Sequence, residues 1–171
     1  METIPHIALT GFMGVGKSSV ARHLSNLLKF PKLDLDTAIE EAEARKIHEI
    51  IAADGIDAYR RIETVTLRRI LSSEEVRILS LGGGTWTIAE NRELIRSHGF
   101  TSIWLEASFD HCWRNICGSR KERPLAKDKE AARELFISRQ KDYCLADWHF
   151  VIKPGDTSYD VAHRIFDELI P

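Results

Sequence analysis

Along the chain, short apolar runs alternate with longer stretches in which apolar residues recur every third or fourth position. The short runs predict strands over Ile4–Thr10, Phe30–Asp34, Val76–Leu81, Thr101–Glu106 and Trp148–Ile152. The periodic stretches predict helices over Lys17–Leu28, Thr37–Ala53, Ala58–Leu71, Asn91–His98, Lys129–Cys144 and Ser158–Leu169. Strands alternating with helices imply an α/β fold, a parallel sheet covered by helices. In such sheets ligands gather beyond the carboxyl ends of the strands. One stretch breaks the pattern: Ile116–Asp128 has little apolar content and holds Arg120, Lys121, Arg123 and Lys127. It reads either as a functional lid or as a solvated charged turn.

No repeat, low-complexity segment or linker divides the 171 residues, so residues 1–171 are expected to form a single domain. The balance of 24 Lys plus Arg against 26 Asp plus Glu leaves a net charge of -2. No overall basic field exists for nucleic acid or an anionic membrane, and any anion must meet a local patch. Cys112, Cys117 and Cys144 form neither a CxxC pair nor a metal-ligand cluster, which favours reduced thiols. The apolar run Ile7–Leu9 is too short for a secretory core, and no run approaches a membrane span. A cytoplasmic monomer is the expectation.

Gly11-Phe12-Met13-Gly14-Val15-Gly16-Lys17-Ser18 has the phosphate-loop spacing GxxxxGK followed by Ser or Thr, between a predicted strand and a predicted helix. Glycines let the backbone turn its N–H groups inward, and the helix N-terminus adds partial positive charge, so the loop suits a β-phosphate. Lys17 would bridge β- and γ-phosphates and Ser18 would take a place on magnesium. The competing reading is a glycine-rich turn with a surface lysine. A GTPase-type switch is disfavoured, because no DxxG or NKxD segment occurs. A small-molecule kinase needs an acceptor anchor, a carboxylate near the reacting hydroxyl and a cover against water.

Candidates for these parts exist. Asp34 and Asp36 end the second predicted strand and alternation sends them to one side. Asp34 suits a magnesium-bound water and Asp36 an attacking hydroxyl. Asp36 also precedes a possible capping box of Thr37 and Glu40, so it has a plain reading as a helix-start residue. Gly82, Gly83 and Gly84 follow Ser80 and Leu81 at the end of the third strand, where close approach of a ligand or a wide turn explains them. Arg60 with Glu63, Arg61 with Asp57, and Arg139 with Asp142 have the spacing of surface ion pairs. An arginine fork on a substrate carboxylate is the other reading of Arg60 and Arg139. Arg123, before Pro124 and Leu125, stands inside the suspected lid and suits phosphate contact. His48 and Glu49 begin an incomplete HExxH string and read as helix-surface residues, and Trp104, Trp113 and Trp148 read as packing residues.

The chain resembles the shikimate kinases of the P-loop nucleoside monophosphate kinase group. The resemblance is carried by GFMGVGKSSVAR (11–22), LDLDTAIE (33–40), DGIDAYRRIE (54–63), SLGGG (80–84), RPL (123–125) and SRQKDY (138–143). It implies a three-layer fold with a five-stranded parallel sheet in the order 2-3-1-4-5, substrate-binding helices near 37–71 and a mobile lid near 114–128. It further implies transfer of the γ-phosphoryl of ATP, with Mg2+, to the 3-hydroxyl of shikimate in aromatic amino-acid synthesis. Gly14, Val15, Gly16, Lys17, Ser18 and Ser19 fall on positions that hold the ATP phosphates. Ser18 falls on the direct magnesium position, with Asp34 and Ser80 acting through water. Asp36, Arg60, the run Gly82 to Gly84 and Arg139 fall on shikimate-binding positions, and Arg123 on the lid arginine that reaches ATP. Lys17, Asp36 and Arg123 make the catalytic set, and Arg114 is the adenine-stacking position.

Some positions depart from the family pattern. Ile51 and Tyr59 replace Phe, Ile56 replaces Glu, Ala44 replaces Gly, and Thr85 and Trp86 follow the glycines with an indole that is expected to touch the acceptor pocket. These leave the phosphoryl-transfer positions intact and bear on the acceptor, so one alternative is a related kinase for another small hydroxy acid or polyol such as gluconate; a separate alternative is a non-catalytic nucleotide-binding relative.

Overall fold

The computed structural model of the chain describes residues 5–73 and 75–169; Ile4, the first residue of the first predicted strand, lies outside them. Five strands form one parallel sheet: β1 (His6–Thr10), β2 (Lys32–Asp34), β3 (Ile78–Ser80), β4 (Phe100–Glu106) and β5 (Trp148–Val151), in the order β2-β3-β1-β4-β5. β1 is central, paired with β3 and β4, and Ile7, Ala8 and Leu9 are fully buried. A strand covered on both faces reads as a continuous apolar run rather than an alternation.

The helices are α1 (Lys17–Leu28), α2 (Leu35–Glu43), α3 (Ile47–Asp54), α4 (Ile56–Leu71), α5 (Ala89–Ser97), α6 (Phe109–Cys117), α7 (Lys129–Tyr143) and α8 (Ser158–Leu169). From β1 the chain first moves outward to β2 and then returns across the sheet to β3, β4 and β5. Right-handed crossovers therefore put α1 on one face and α4, α5 and α7 on the other. Packing agrees, since α1 lies on α8 and α5 joins α4 and β4. The order reverses beside β1, so a crevice opens beyond its carboxyl end.

Four sequence expectations change. The helix expected over Thr37–Ala53 is two, because the chain turns at Ala44, which closes α2 with φ 51°. Asp34, not Thr37, caps α2 by accepting from the Thr37 N–H, while Glu40 accepts from the Ile47 N–H and Lys46 Nζ instead of closing a capping box. The segment before the charged loop is helical: Ser108 caps α6, whose inward residues are Phe109, Cys112, Trp113 and Ile116. Residues 114–117 thus belong to a helix, and the loop spans 118–128. Trp104 is core as expected, and Trp113 packs against Phe109. Trp148 is instead 41% exposed because β5 is the sheet edge. All three cysteines are free. Among the described residues no helix is long and apolar enough to cross a membrane.

Candidate active site

The loop leaving β1 carries positive φ at Gly11, Gly14 and Gly16, which an L side chain rarely adopts. At Gly14 a Cβ would also strike the Cys112 carbonyl, so α6 presses directly on the loop. Asn115 of that helix donates to the Gly14 carbonyl at 2.8 Å. Lys17 is almost fully enclosed, and its Nζ donates to the Gly11 and Phe12 carbonyls at 2.7 and 3.1 Å. Burial lowers its pKa to about 8, with Asp36 opposing the shift and Arg123 reinforcing it.

Beyond the loop, the Ser18 hydroxyl donates to Asp34 Oδ2 at 2.6 Å. Ser80, in register with Asp34 across β2 and β3, has a buried hydroxyl without a partner. A hydroxyl, a carboxylate and a second hydroxyl form a hard oxygen set, which fits magnesium completed by phosphate and water. No cluster of three or more His, Cys, Asp or Glu suited to a metal occurs among the described residues, so the protein alone does not cage an ion.

Two cavities meet here. One, of about 540 Å³, is bounded by Gly14 to Ser19, Asp34 and residues of α6 and α8. From α6 it takes His111 and Asn115, one turn apart on a single face; Arg114, the adenine position of the resemblance, is exposed and does not border it. The other cavity, of about 590 Å³, is bounded by Asp36, Arg60, Gly83, Gly84, Arg139, residues of α3 and the 120–125 segment. Trp86 does not line it: the indole is fully buried and donates to the Asp142 carbonyl at 3.0 Å. Ile51 and Tyr59 do line it, whereas Ile56 does not.

Neither Arg60 nor Arg139 makes the surface ion pair that its spacing allowed. Arg60 Nη1 contacts Glu63 Oε1 at 2.8 Å, and Glu63 is fully buried. Glu63 lies on the inward stripe of α4 with Tyr59, Thr66, Leu67 and Ile70. It also accepts from the Thr85 hydroxyl at 2.7 Å and the Tyr59 hydroxyl at 3.3 Å. Burial, with Glu63 and Asp36 nearby, raises the Tyr59 pKa and keeps the phenol protonated. Arg139 is 6% exposed on the inward stripe of α7, and Asp142 faces Arg92 instead. Burial lowers the Arg139 pKa, against the pull of Tyr143. Tyr143, itself raised to about 12, donates to the Gly83 carbonyl.

The three glycines make room for these side chains. A Cβ at Gly82 would meet Asp36 Oδ1, one at Gly83 would meet Arg139, and one at Gly84 would overlap the Arg60 guanidinium. Close approach explains the run, and the groups that approach are the protein's own Asp36, Arg139 and Arg60 side chains, where the sequence had suggested a ligand. Sequence reasoning missed Glu63, Thr85, Asn115 and His48. His48 faces the second cavity from α3, with Nε2 3.5 Å from Glu122 Oε2 across it. For Glu63 a signal existed, a carboxylate on an otherwise apolar stripe.

A phosphate loop at the crevice of a parallel sheet, opening onto a second cavity with two enclosed arginines, defines a P-loop small-molecule kinase. The family model described as "Shikimate kinase" matches residues 13–170. The chain is 40% identical over 160 residues to the shikimate kinase of Caulobacter vibrioides, covering 91% of this chain and 77% of that one. It is 34% identical over 166 residues to the shikimate kinase of Flavobacterium johnsoniae, covering 96% and 94%. The structure of shikimate kinase from Acinetobacter baumannii in complex with shikimate superposes with a TM-score of 0.89 at 31% identity, covering 97% and 93%. The chain belongs to the shikimate kinase family.

Proposed function

We propose that the protein transfers the γ-phosphoryl of ATP to the 3-hydroxyl of shikimate, with the two cavities as donor and acceptor sites. The observation that carries this is the pair of enclosed arginines, Arg60 and Arg139, in a cavity that shares Asp36 with the phosphate-loop cavity. Two guanidiniums hold a carboxylate in a fixed orientation, worth roughly 1.5–3 kcal/mol per charge-assisted bond. Asp36 Oδ1 is buried without a partner, which supports a role on an acceptor hydroxyl.

In this reading Gly14 to Ser19 cradle the phosphates through backbone N–H groups, and Lys17 exchanges the Gly11 and Phe12 carbonyls for phosphate oxygens. Ser18 would hold a magnesium ion, with Asp34 and Ser80 reaching it through water, and that ion would supply positive charge beside the phosphates. Arg123, on the wall common to both cavities, closes on the phosphates, and Asp36 orients the hydroxyl and receives its proton. Glu63 is a positioning residue, aiming Arg60 from below. Retention of every one of these groups favours an active kinase over a binding-only relative.

The test is a coupled ADP-release assay offering shikimate, gluconate and nucleoside monophosphates in parallel. Turnover with shikimate alone is expected. Turnover of gluconate or a nucleotide without shikimate would overturn the reading, and nucleotide binding with no turnover would favour the non-catalytic relative.

A further inference from the structure

Five residues border both cavities: Met13, Asp36, Gly83, Lys121 and Arg123. A phosphoryl group passing from donor to acceptor crosses this wall, so its charged side chains meet the charge that moves. Asp36 presents a difficulty there, because a carboxylate beside a polyanionic phosphate repels it. Lys121 counters that charge directly: its Nζ donates to Asp36 Oδ2 at 2.9 Å. An ammonium has three donors and no acceptor, so one N–H on Asp36 leaves two free. The next residue, Glu122, faces His48 of α3 at 3.5 Å, which ties this part of the loop to the acceptor side.

We propose that Lys121 is a catalytic residue that bridges Asp36 and the transferring phosphoryl group, a third protein cation on the path beside Lys17 and Arg123. The proposal rests on the kinase reading given above. Lys121 keeps Oδ2, and the acceptor hydroxyl takes the other oxygen, Oδ1. In the transfer the acceptor oxygen bonds to the γ-phosphorus, and the bond from that phosphorus to the β–γ bridging oxygen breaks with its electron pair left on ADP. The hydroxyl proton passes to Asp36, and Lys121 remains an ammonium throughout. Its two free donors face the equatorial oxygens, where the charge spreads.

The test compares Lys121→Met and Lys121→Arg with the parent in the full chain. With Lys121→Met, kcat is expected to fall by roughly tenfold or more while both KM values move less than about threefold, as for a group that acts in the transition state. Lys121→Arg is expected to keep kcat within about threefold, because the charge and a donor remain. A second measurement needs no acceptor: in Lys121→Met the affinity for magnesium ADP with aluminium fluoride should drop about tenfold while that for ADP alone holds. Parental kcat and parental aluminium fluoride affinity in Lys121→Met would overturn the proposal, as would a loss confined to the KM for shikimate. If the parent does not turn over shikimate, the kinase reading fails on its own, and the fluoride affinities still decide Lys121.

Discussion

At the scale of single residues, the site rests on three charged side chains buried away from solvent, Lys17, Glu63 and Arg139. Glu63 shows the consequence. Truncating Arg60 leaves a fully buried carboxylate without its cation, and breaking such a pair costs about 3–5 kcal/mol. A variant at Arg60 therefore perturbs folding as well as substrate. Lys17 offers a cleaner probe. Its pKa is lowered from 10.5 to about 8, chiefly by burial, so the free loop loses its cation as pH rises through 8. Phosphates beside it favour the charged form and pull the pKa back up. The ratio kcat/KM for ATP, which reports the free enzyme, should fall above pH 8, while kcat at saturating ATP stays level to higher pH. Stability moves the other way. Between 8 and 10.5 the unfolded chain holds more protons on this lysine than the folded one, so its contribution to stability rises with pH. A kcat/KM for ATP that stays flat to pH 9.5 would show that Lys17 keeps its charge in the empty loop.

At the scale of elements, what the sequence revealed depends on whether burial or mere spacing carried the signal. Continuous apolar runs marked β1 and β4, and the phosphate-loop spacing marked the start of α1. Helix α6 was legible in Ser108, Phe109, Cys112, Trp113 and Ile116, a cap followed by one apolar face, yet the adjoining cationic loop masked it. Arg139 and Glu63 were ambiguous because the spacing of an ion pair is the same at the surface and in the core. Only their places on the inward stripes of α7 and α4 decide between the two. The break between α2 and α3 hid behind Ala44, a residue that normally continues a helix. Ala44 takes φ 51°, a left-handed conformation in which its Cβ costs about 1–2 kcal/mol and glycine fits freely. Ala44→Gly also gives the unfolded chain more entropy, which offsets roughly 0.4–1 kcal/mol of the relief. A net gain near 0.5–1 kcal/mol corresponds to a rise in melting temperature of about 1–4 °C, measurable by calorimetry. A lower melting temperature in Ala44→Gly would mean that the turn carries no strain.

At the scale of the molecule, a chain with net charge -2 offers anions a local cationic patch by gathering a few of its 24 Lys and Arg at one crevice. The reversal of strand order beside β1 creates that crevice, α1 and α4 bring Lys17 and Arg60 to it, and α7 supplies Arg139. Lys121 and Arg123, the cations that border both cavities, come from the 118–128 loop, which is anchored differently from the helices. Its backbone–backbone hydrogen bonds are short-range: Gly118 and Ser119 N–H to the Arg114 and Ile116 carbonyls of α6, Ala126 N–H to the Arg123 carbonyl, and Ala132 N–H of α7 to the Asp128 carbonyl. Arg120, Lys121 and Lys127 in it are exposed, so the loop has the features of a segment that opens at low cost. Because its residues border both cavities, each substrate gives it new contacts, and the two together hold it from both sides. Trypsin should therefore cut the ligand-free protein first after Arg120 or Lys121. A non-hydrolysable ATP analogue or shikimate alone should slow that cut modestly, and the pair together by roughly tenfold or more, since cleavage tracks the population of the open form. Mass spectrometry of the first fragments reads the site directly. An equal rate of cutting with and without both ligands would show that the loop does not close over them, and the cations for transfer would then have to come from Lys17, Arg60 and Arg139 alone.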